Sequence, residues 1–211
     1  MLKILGKSSS INVRKVLWTC AELGLPFELE EWGDGFGSTS DPHFAALNPN
    51  AMVPVIVDDG LVLWESNTIC RYLCAEYGAQ QGRPALLPAA PRQRALVEQW
   101  MDWQATELNS AWRYAFMALV RRSAAHADPL QVAVSSAQWN RLLGILDARV
   151  RATGAFVAGD NFTVADIVLG LSINRWRMTP IEHPDYPALA AYYERLGARP
   201  GFAAFCANGT P

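Results

Sequence analysis

The strongest constraint on what this chain can fold into is the point at which its strand-like patterning stops. Up to Gly78 short apolar runs alternate with amphipathic ones, and beyond Pro91 no strand pattern returns. Leu2 to Leu5 reads as a strand. Val13 to Leu23 repeats apolar residues at helical spacing and stops at Gly24, and Phe27 to Trp32 reads as a second strand. After a Gly/Ser-rich loop from Gly33 to Ser40 and a helical turn near Phe44, Val53 to Val57 and Leu61 to Leu63 flank Asp58-Asp59-Gly60, a hairpin signal. Glu65 to Tyr77 is then helical. The stretch from Ala79 to Pro91 is rich in Pro, Gly and Ala. After it the helical pattern breaks at Asp128-Pro129, Gly154, Thr179-Pro180 and Arg199-Pro200. A mixed α/β domain followed by an all-helical one is the expected organisation.

Charge and composition narrow the function classes. With 18 basic and 20 acidic side chains in 211 residues, the net charge of −2 leaves no basic stripe for a phosphate backbone, so nucleic acid is not an expected partner. The N-terminal apolar run is too short for a signal peptide, and no later stretch approaches a membrane span, so a cytoplasmic location is expected. Cys20, Cys70, Cys74 and Cys206 lie in helical or apolar patterns without a C-x-x-C pair, and read as buried reduced thiols. His43, His126 and His183 are scattered with no metal-ligand or triad spacing, so no metal is expected. The loop "GDGFG" lacks the full spacing of a dinucleotide fingerprint before a helix and reads as flexible.

Three junctions carry chemistry. In "GKSSSINVRK" a strand ends at Gly6 and a helix begins near Asn12, which places Ser8, Ser9 and Ser10 beside first-turn amides that favour an anion such as a thiolate. Read alone, this is an ordinary N-cap. In Met52-Val53-Pro54-Val55 a proline opens a strand; a cis peptide before it would offer the Val53 backbone to an extended peptide ligand. In Leu63-Trp64-Glu65-Ser66-Asn67 strand passes to helix at Glu65-Ser66, where a carboxylate and a hydroxyl can hold the charged ends of an amino-acid moiety.

In this order the junctions resemble the glutathione-binding, thioredoxin-like domain of the cytosolic glutathione S-transferases, of a serine-type or bacterial beta/theta-like class. The resemblance rests on "VRK", "NPNAMVPVIVDDG" and above all "LWESNTICRYL", and extends over the whole chain. The segment Gly159 to Ile167 supports it independently. Thr163 as N-cap with Asp166 at N3 forms a capping box, Phe162 and Ile167 are placed as a hydrophobic staple, and Asp166 is therefore assigned to folding. The resemblance implies a thioredoxin-like α/β domain with a four-stranded mixed sheet over residues 1–78, a linker over 79–91 and an all-α domain over 92–211.

It also implies roles. Counting four residues back from Arg14, as in the serine classes, gives Ser10 as the hydroxyl on the glutathione sulfur; classes with that residue one place earlier select Ser9. Asn12 stands where many members have proline, and its amide could itself donate to the thiol. A tyrosine-type site is excluded because no tyrosine precedes Tyr72. The resemblance assigns Val53 and Pro54 to the cysteinyl portion, Glu65 and Ser66 to the γ-glutamyl group, and Thr39 to the glycyl carboxylate. The electrophile is expected between the domains, at Trp112, Arg113, Phe116 and Met117, where positions 113, 117 and 121 share a helix face. An Arg113 turned to that cleft would favour acidic electrophiles such as small haloacids. Glutathione as co-substrate, a small electrophile, a detoxifying role and a homodimer follow from the same resemblance. A glutathione-dependent isomerase or dehalogenase and a non-catalytic adaptor of the same fold are the competing readings.

Overall fold

The computed structural model describes residues 1–78 and 85–211. Within them the chain divides into two compact units: Met1–Ala89 with Arg199–Asn208, and Ala90–Ala198 with Gly209–Pro211.

The first unit is built on strands β1 (Leu2–Leu5), β2 (Phe27–Glu30), β3 (Val55–Asp58) and β4 (Leu61–Trp64), in the order β2-β1-β3-β4. β1 pairs with β2 in parallel and with β3 antiparallel, and β3 pairs antiparallel with β4, so the sheet is mixed, as expected. Asp59 and Gly60 both have positive φ, 46° and 86°, which is the geometry that lets a two-residue turn follow the twist of its strands. Tyr72 and Tyr77 then donate to Asp58 Oδ2 and tie the hairpin to a helix. That helix is α3 (Ser66–Tyr77), which packs against α1 (Ile11–Leu23), with Thr19 Oγ1 3.3 Å from Cys70 Sγ in the buried seam. The short α2 (Pro42–Leu47) sends Phe44 into a second cluster with Leu5 and Val55, packed against Trp32, Leu47 and Val53.

Residues 199–208 depart from the expected division at 92, which places them with the helices. They pack on α1, and the reason is a partly buried polar knot around Glu22. Trp18 Nε1 donates to Glu22 at 2.8 Å, and the other carboxylate oxygen accepts from Arg199 at 2.6 and 3.2 Å. Trp18 also meets Phe202 edge to face. Gly201 has to be glycine here, since a Cβ would lie 2.1 Å from the Trp18 ring. Residues 79–84 of the expected linker lie outside the described residues.

The second unit is helical: α4 (Pro91–Trp103) continues through a π-helical turn (Gln104–Leu108) into α5 (Asn109–Leu119), followed by α6 (Pro129–Thr153), α7 (Val164–Met178) and α8 (Pro187–Leu196). Pro91, Pro129 and Pro187 each open a helix at the position where a missing N–H costs nothing. α7 is buried all round from Val164 to Trp176, the pattern of a helix at the centre of a core. Its start is the expected capping box, with Phe162 and Ile167 both buried. Asp166, fully buried, accepts from Thr163 N and Oγ1, from Val157 N and from Tyr192 Oη, at 2.7 to 2.9 Å.

Candidate active site

The N-terminal turn of α1 begins where β1 ends. Ser10 N donates to the Lys7 carbonyl at 3.0 Å, which closes a turn with Ser8 and Ser9 exposed at its tip. Gly6 lets the chain pass here, because a Cβ would lie 2.5 Å from Val13 and 3.2 Å from Val53. Ser10 is the N-cap by backbone geometry, with its carbonyl accepting from Arg14 N at 2.9 Å, but its hydroxyl caps no amide of the helix. Asn12 follows at the second helical position. Its Oδ1 accepts from Ser66 Oγ at 3.4 Å, joining α1 to the first residue of α3.

The turn into α3 is strained. Glu65, its N-cap residue, has φ 72°, ψ 106° and offers no side-chain cap, a conformation that costs a non-glycine residue about 1–3 kcal/mol. Ser66 beside it is 6% exposed, whereas Glu65 itself is open to solvent. The third wall is the loop before β3, where the Val53-Pro54 peptide is cis. Asn48, 2% exposed, shapes this loop. Its Nδ2 donates to the Met52 carbonyl at 2.7 Å and its Oδ1 accepts from Asn50 N and Nδ2, both at 3.0 Å.

These walls enclose a cleft of about 270 Å³. Of the residues anticipated from sequence, Asn12, Val53, Pro54, Glu65 and Ser66 line it. Asn48, Asn50 and Met52 line it too and were not anticipated; the paired asparagines around Pro49 in "NPNAM" were the available signal. Ser9, Ser10 and Thr39 are not among the lining residues. Thr39 sits half-buried in the turn before α2.

In the second unit, α5 turns Phe116 inward and leaves Trp112 half-buried, with their rings edge to face at 5.3 Å. Arg113 is exposed and Met117 half-buried, so the four anticipated pocket residues do not share one environment. The cation that meets the aromatic pair is Arg175 of α7, 4.5 Å from the Trp112 centroid and 4.2 Å from that of Phe116. Sequence reading missed it, because a buried arginine inside an apolar helix has no periodic signature. Arg121 also approaches the Phe116 ring, at 5.6 Å.

Residues 9–76 match the family model for the glutathione S-transferase N-terminal domain, and residues 109–200 that for the C-terminal domain. Glutathione S-transferase GstB of Escherichia coli (strain K12) is 38% identical over 202 residues, 95% of each chain. The chain belongs to the glutathione S-transferase family. Glutathione S-transferase 3 of Zea mays is 32% identical over 95% of this chain and 91% of its own. Among solved structures, the theta class glutathione S-transferase from Xanthomonas axonopodis pv. citri with glutathione bound aligns with a TM-score of 0.89 at 40% identity, covering 97% of this chain and 96% of that one.

In this glutathione S-transferase family member the cysteines have the wrong environment for nucleophilic work. All four are buried thiols outside any disulfide. Burial pushes the Cys70 thiol up to about 11, against the smaller opposing pull of the Thr19 hydroxyl and the Lys15 and Arg71 charges, and burial raises Cys20 as well. Among the described residues no group of three or more His, Cys, Asp or Glu could hold a metal ion, and no helix is long and apolar enough to cross a membrane.

Proposed function

We propose that this chain is a glutathione transferase that binds the tripeptide in the cleft of the first unit and conjugates its thiolate to small electrophiles. The observation that carries the reading is the convergence of Asn12, Val53-Pro54 and Glu65-Ser66 on one cleft, in a chain whose relatives are transferases over its whole length. The peptide lies extended along the loop before β3. Val53 meets its cysteinyl portion, Glu65 and Ser66 take its γ-glutamyl group, and Asn48 and Asn50 stand at the same cleft's loop wall.

The sulfur is placed at the start of α1, where the first-turn amides and the helix dipole favour the thiolate over the thiol. Asn12 supplies the side-chain donor, since it lines the cleft while Ser10 and Ser9 form the turn that leads into the helix. The thiol proton leaves to solvent, the sulfur lone pair forms the new C–S bond, and the leaving group departs with the electrons of the broken bond. Catalysis is thiol acidification plus positioning. The electrophile is assigned to the α5 side chains Trp112, Phe116 and Met117, with Arg113 at the solvent side. Homodimer assembly, a cytoplasmic location and a detoxifying role complete the reading.

The test is retention of the full chain on immobilised glutathione, followed by conjugation of an activated aryl halide monitored as thioether formation. Retention with turnover is expected. Retention without turnover across a broad electrophile panel would leave a binding module, and failure to bind glutathione would overturn the proposal.

A further inference from the structure

Behind the cleft wall stands a lysine that the cleft does not explain. Lys15 lies one turn along α1 from Asn12, is 1% exposed, and donates from Nζ to Asn67 Oδ1 at 3.3 Å. Asn67, 7% exposed, is the second residue of α3 and follows Ser66 directly. Bonds therefore cross from the first turns of α1 to the first turn of α3. One is Ser66 to Asn12 at 3.4 Å in the cleft itself, and another is Lys15 to Asn67 in the interior beneath it.

Burying an ammonium is costly, and an apolar side chain of the same length would fill the same volume without that penalty. A charge at this place needs a reason other than packing. It adds a positive centre beneath two helix N-termini that already favour anions, and it fixes the one turn, strained at Glu65, on which the γ-glutamyl end of the ligand is placed.

We infer that Lys15 is a positioning residue of the glutathione site: through Asn67 it holds the Glu65-Ser66 turn of α3 in register with Asn12 of α1, so that the peptide's charged end meets a preformed wall. The inference rests on the glutathione-binding reading above. Lys15 acts through Asn67 and Ser66 and touches no reacting atom, so its loss weakens peptide binding and leaves the chemical step alone.

Lys15→Met keeps the length of the side chain and removes the charge. In the full chain it is expected to raise the glutathione Kd, by calorimetry, and the glutathione KM by about tenfold, the worth of a charged hydrogen bond. Both kcat and the electrophile KM should stay within about twofold. Asn67→Ala removes the acceptor and leaves the lysine, and should show the same split; should Lys15→Met fail to fold, Asn67→Ala decides alone. Wild-type glutathione affinity in the folded variants overturns this inference and leaves the glutathione reading intact. A loss confined to kcat overturns it too. Failure of the wild-type chain to bind glutathione overturns both.

Discussion

Helix α7 and the pair α1 and α3 begin in opposite ways. At α7 the terminus is closed: Thr163 and Asp166 bond each other's backbone, and the same carboxylate reaches Val157 and Tyr192, all in the interior. At α1 and α3 the residues in the N-cap position, Ser10 and Glu65, give no side-chain cap, and the first turns border a cleft. The residue types are similar in both places, hydroxyls and carboxylates at helix starts. What separates them is whether a side chain at the helix start bonds back onto the first turn. A closed start fixes the fold; an open start on a cleft is left for a ligand.

The largest expected effect lies at the closed start. Asp166→Ala would leave two buried amides, a threonine hydroxyl and a tyrosine hydroxyl without their acceptor, and should lower the stability of the second unit by about 3–5 kcal/mol in urea unfolding. Titration adds a second readout. Burial raises the Asp166 carboxyl above its usual 3.8, more than its hydrogen bonds lower it. A raised native value means that the fold takes up this proton more readily than the unfolded chain. The carboxyl's contribution therefore declines as pH climbs from 3.8 towards the native value and is level above it. Subtracting the pH–stability curve of Asp166→Asn from that of the wild type should reveal that decline; a difference curve that rises with pH would reverse the assignment.

At the open start of α1 the effect should fall on activity and spare stability. Asn12→Ala removes the side-chain donor proposed for the sulfur, and kcat/KM for conjugation should drop about 10- to 100-fold, the range of a hydrogen bond to a charged group. The bound thiol should ionise at higher pH than in the wild type, read by thiolate absorbance. An unchanged thiol titration would place the donor elsewhere. Ser66→Ala comes next. It deletes one long bond, 3.4 Å to Asn12, and the hydroxyl proposed to meet the γ-glutamyl group, so the glutathione KM should rise about 2- to 10-fold with little change in kcat. A Ser66→Ala variant that loses kcat instead would move Ser66 from binding to chemistry.

How much of this was legible in the sequence differs between the two kinds of helix start. The capping box could be read residue by residue, because Thr163 and Asp166 satisfy each other within four positions and Phe162 and Ile167 mark the staple. The cleft could be read in outline, since Asn12, Val53, Pro54, Glu65 and Ser66 each sit at a strand–helix junction with a local signature. What could not be read is contact over long sequence separation. Lys15 and Asn67 lie 52 positions apart, and nothing in either helix pattern announces their bond. Arg175 against Trp112, and residues 199–208 on α1, belong to the same class. Arg113 shows the limit of spacing alone: it shares a helix face with positions 117 and 121, yet it is exposed while Met117 is half-buried.

The smallest effect should be at Ser10, and it is the one that divides the open start from an ordinary cap. Replacing a working N-cap serine by alanine usually costs about 0.5–2 kcal/mol, because the hydroxyl satisfies a first-turn amide. The Ser10 hydroxyl caps no amide of α1, so Ser10→Ala should sit at or below the low end of that range in thermal unfolding. If Asn12 is the donor to the sulfur, kcat/KM should also stay within about threefold of wild type. A fall of about 100-fold with unchanged stability would instead make the serine hydroxyl the group on the sulfur, since a cap that contributes nothing to the helix can only act through the ligand. Ser9→Ala, at the exposed tip of the same turn, should be silent in both measurements, and the double variant should then equal Ser10→Ala alone.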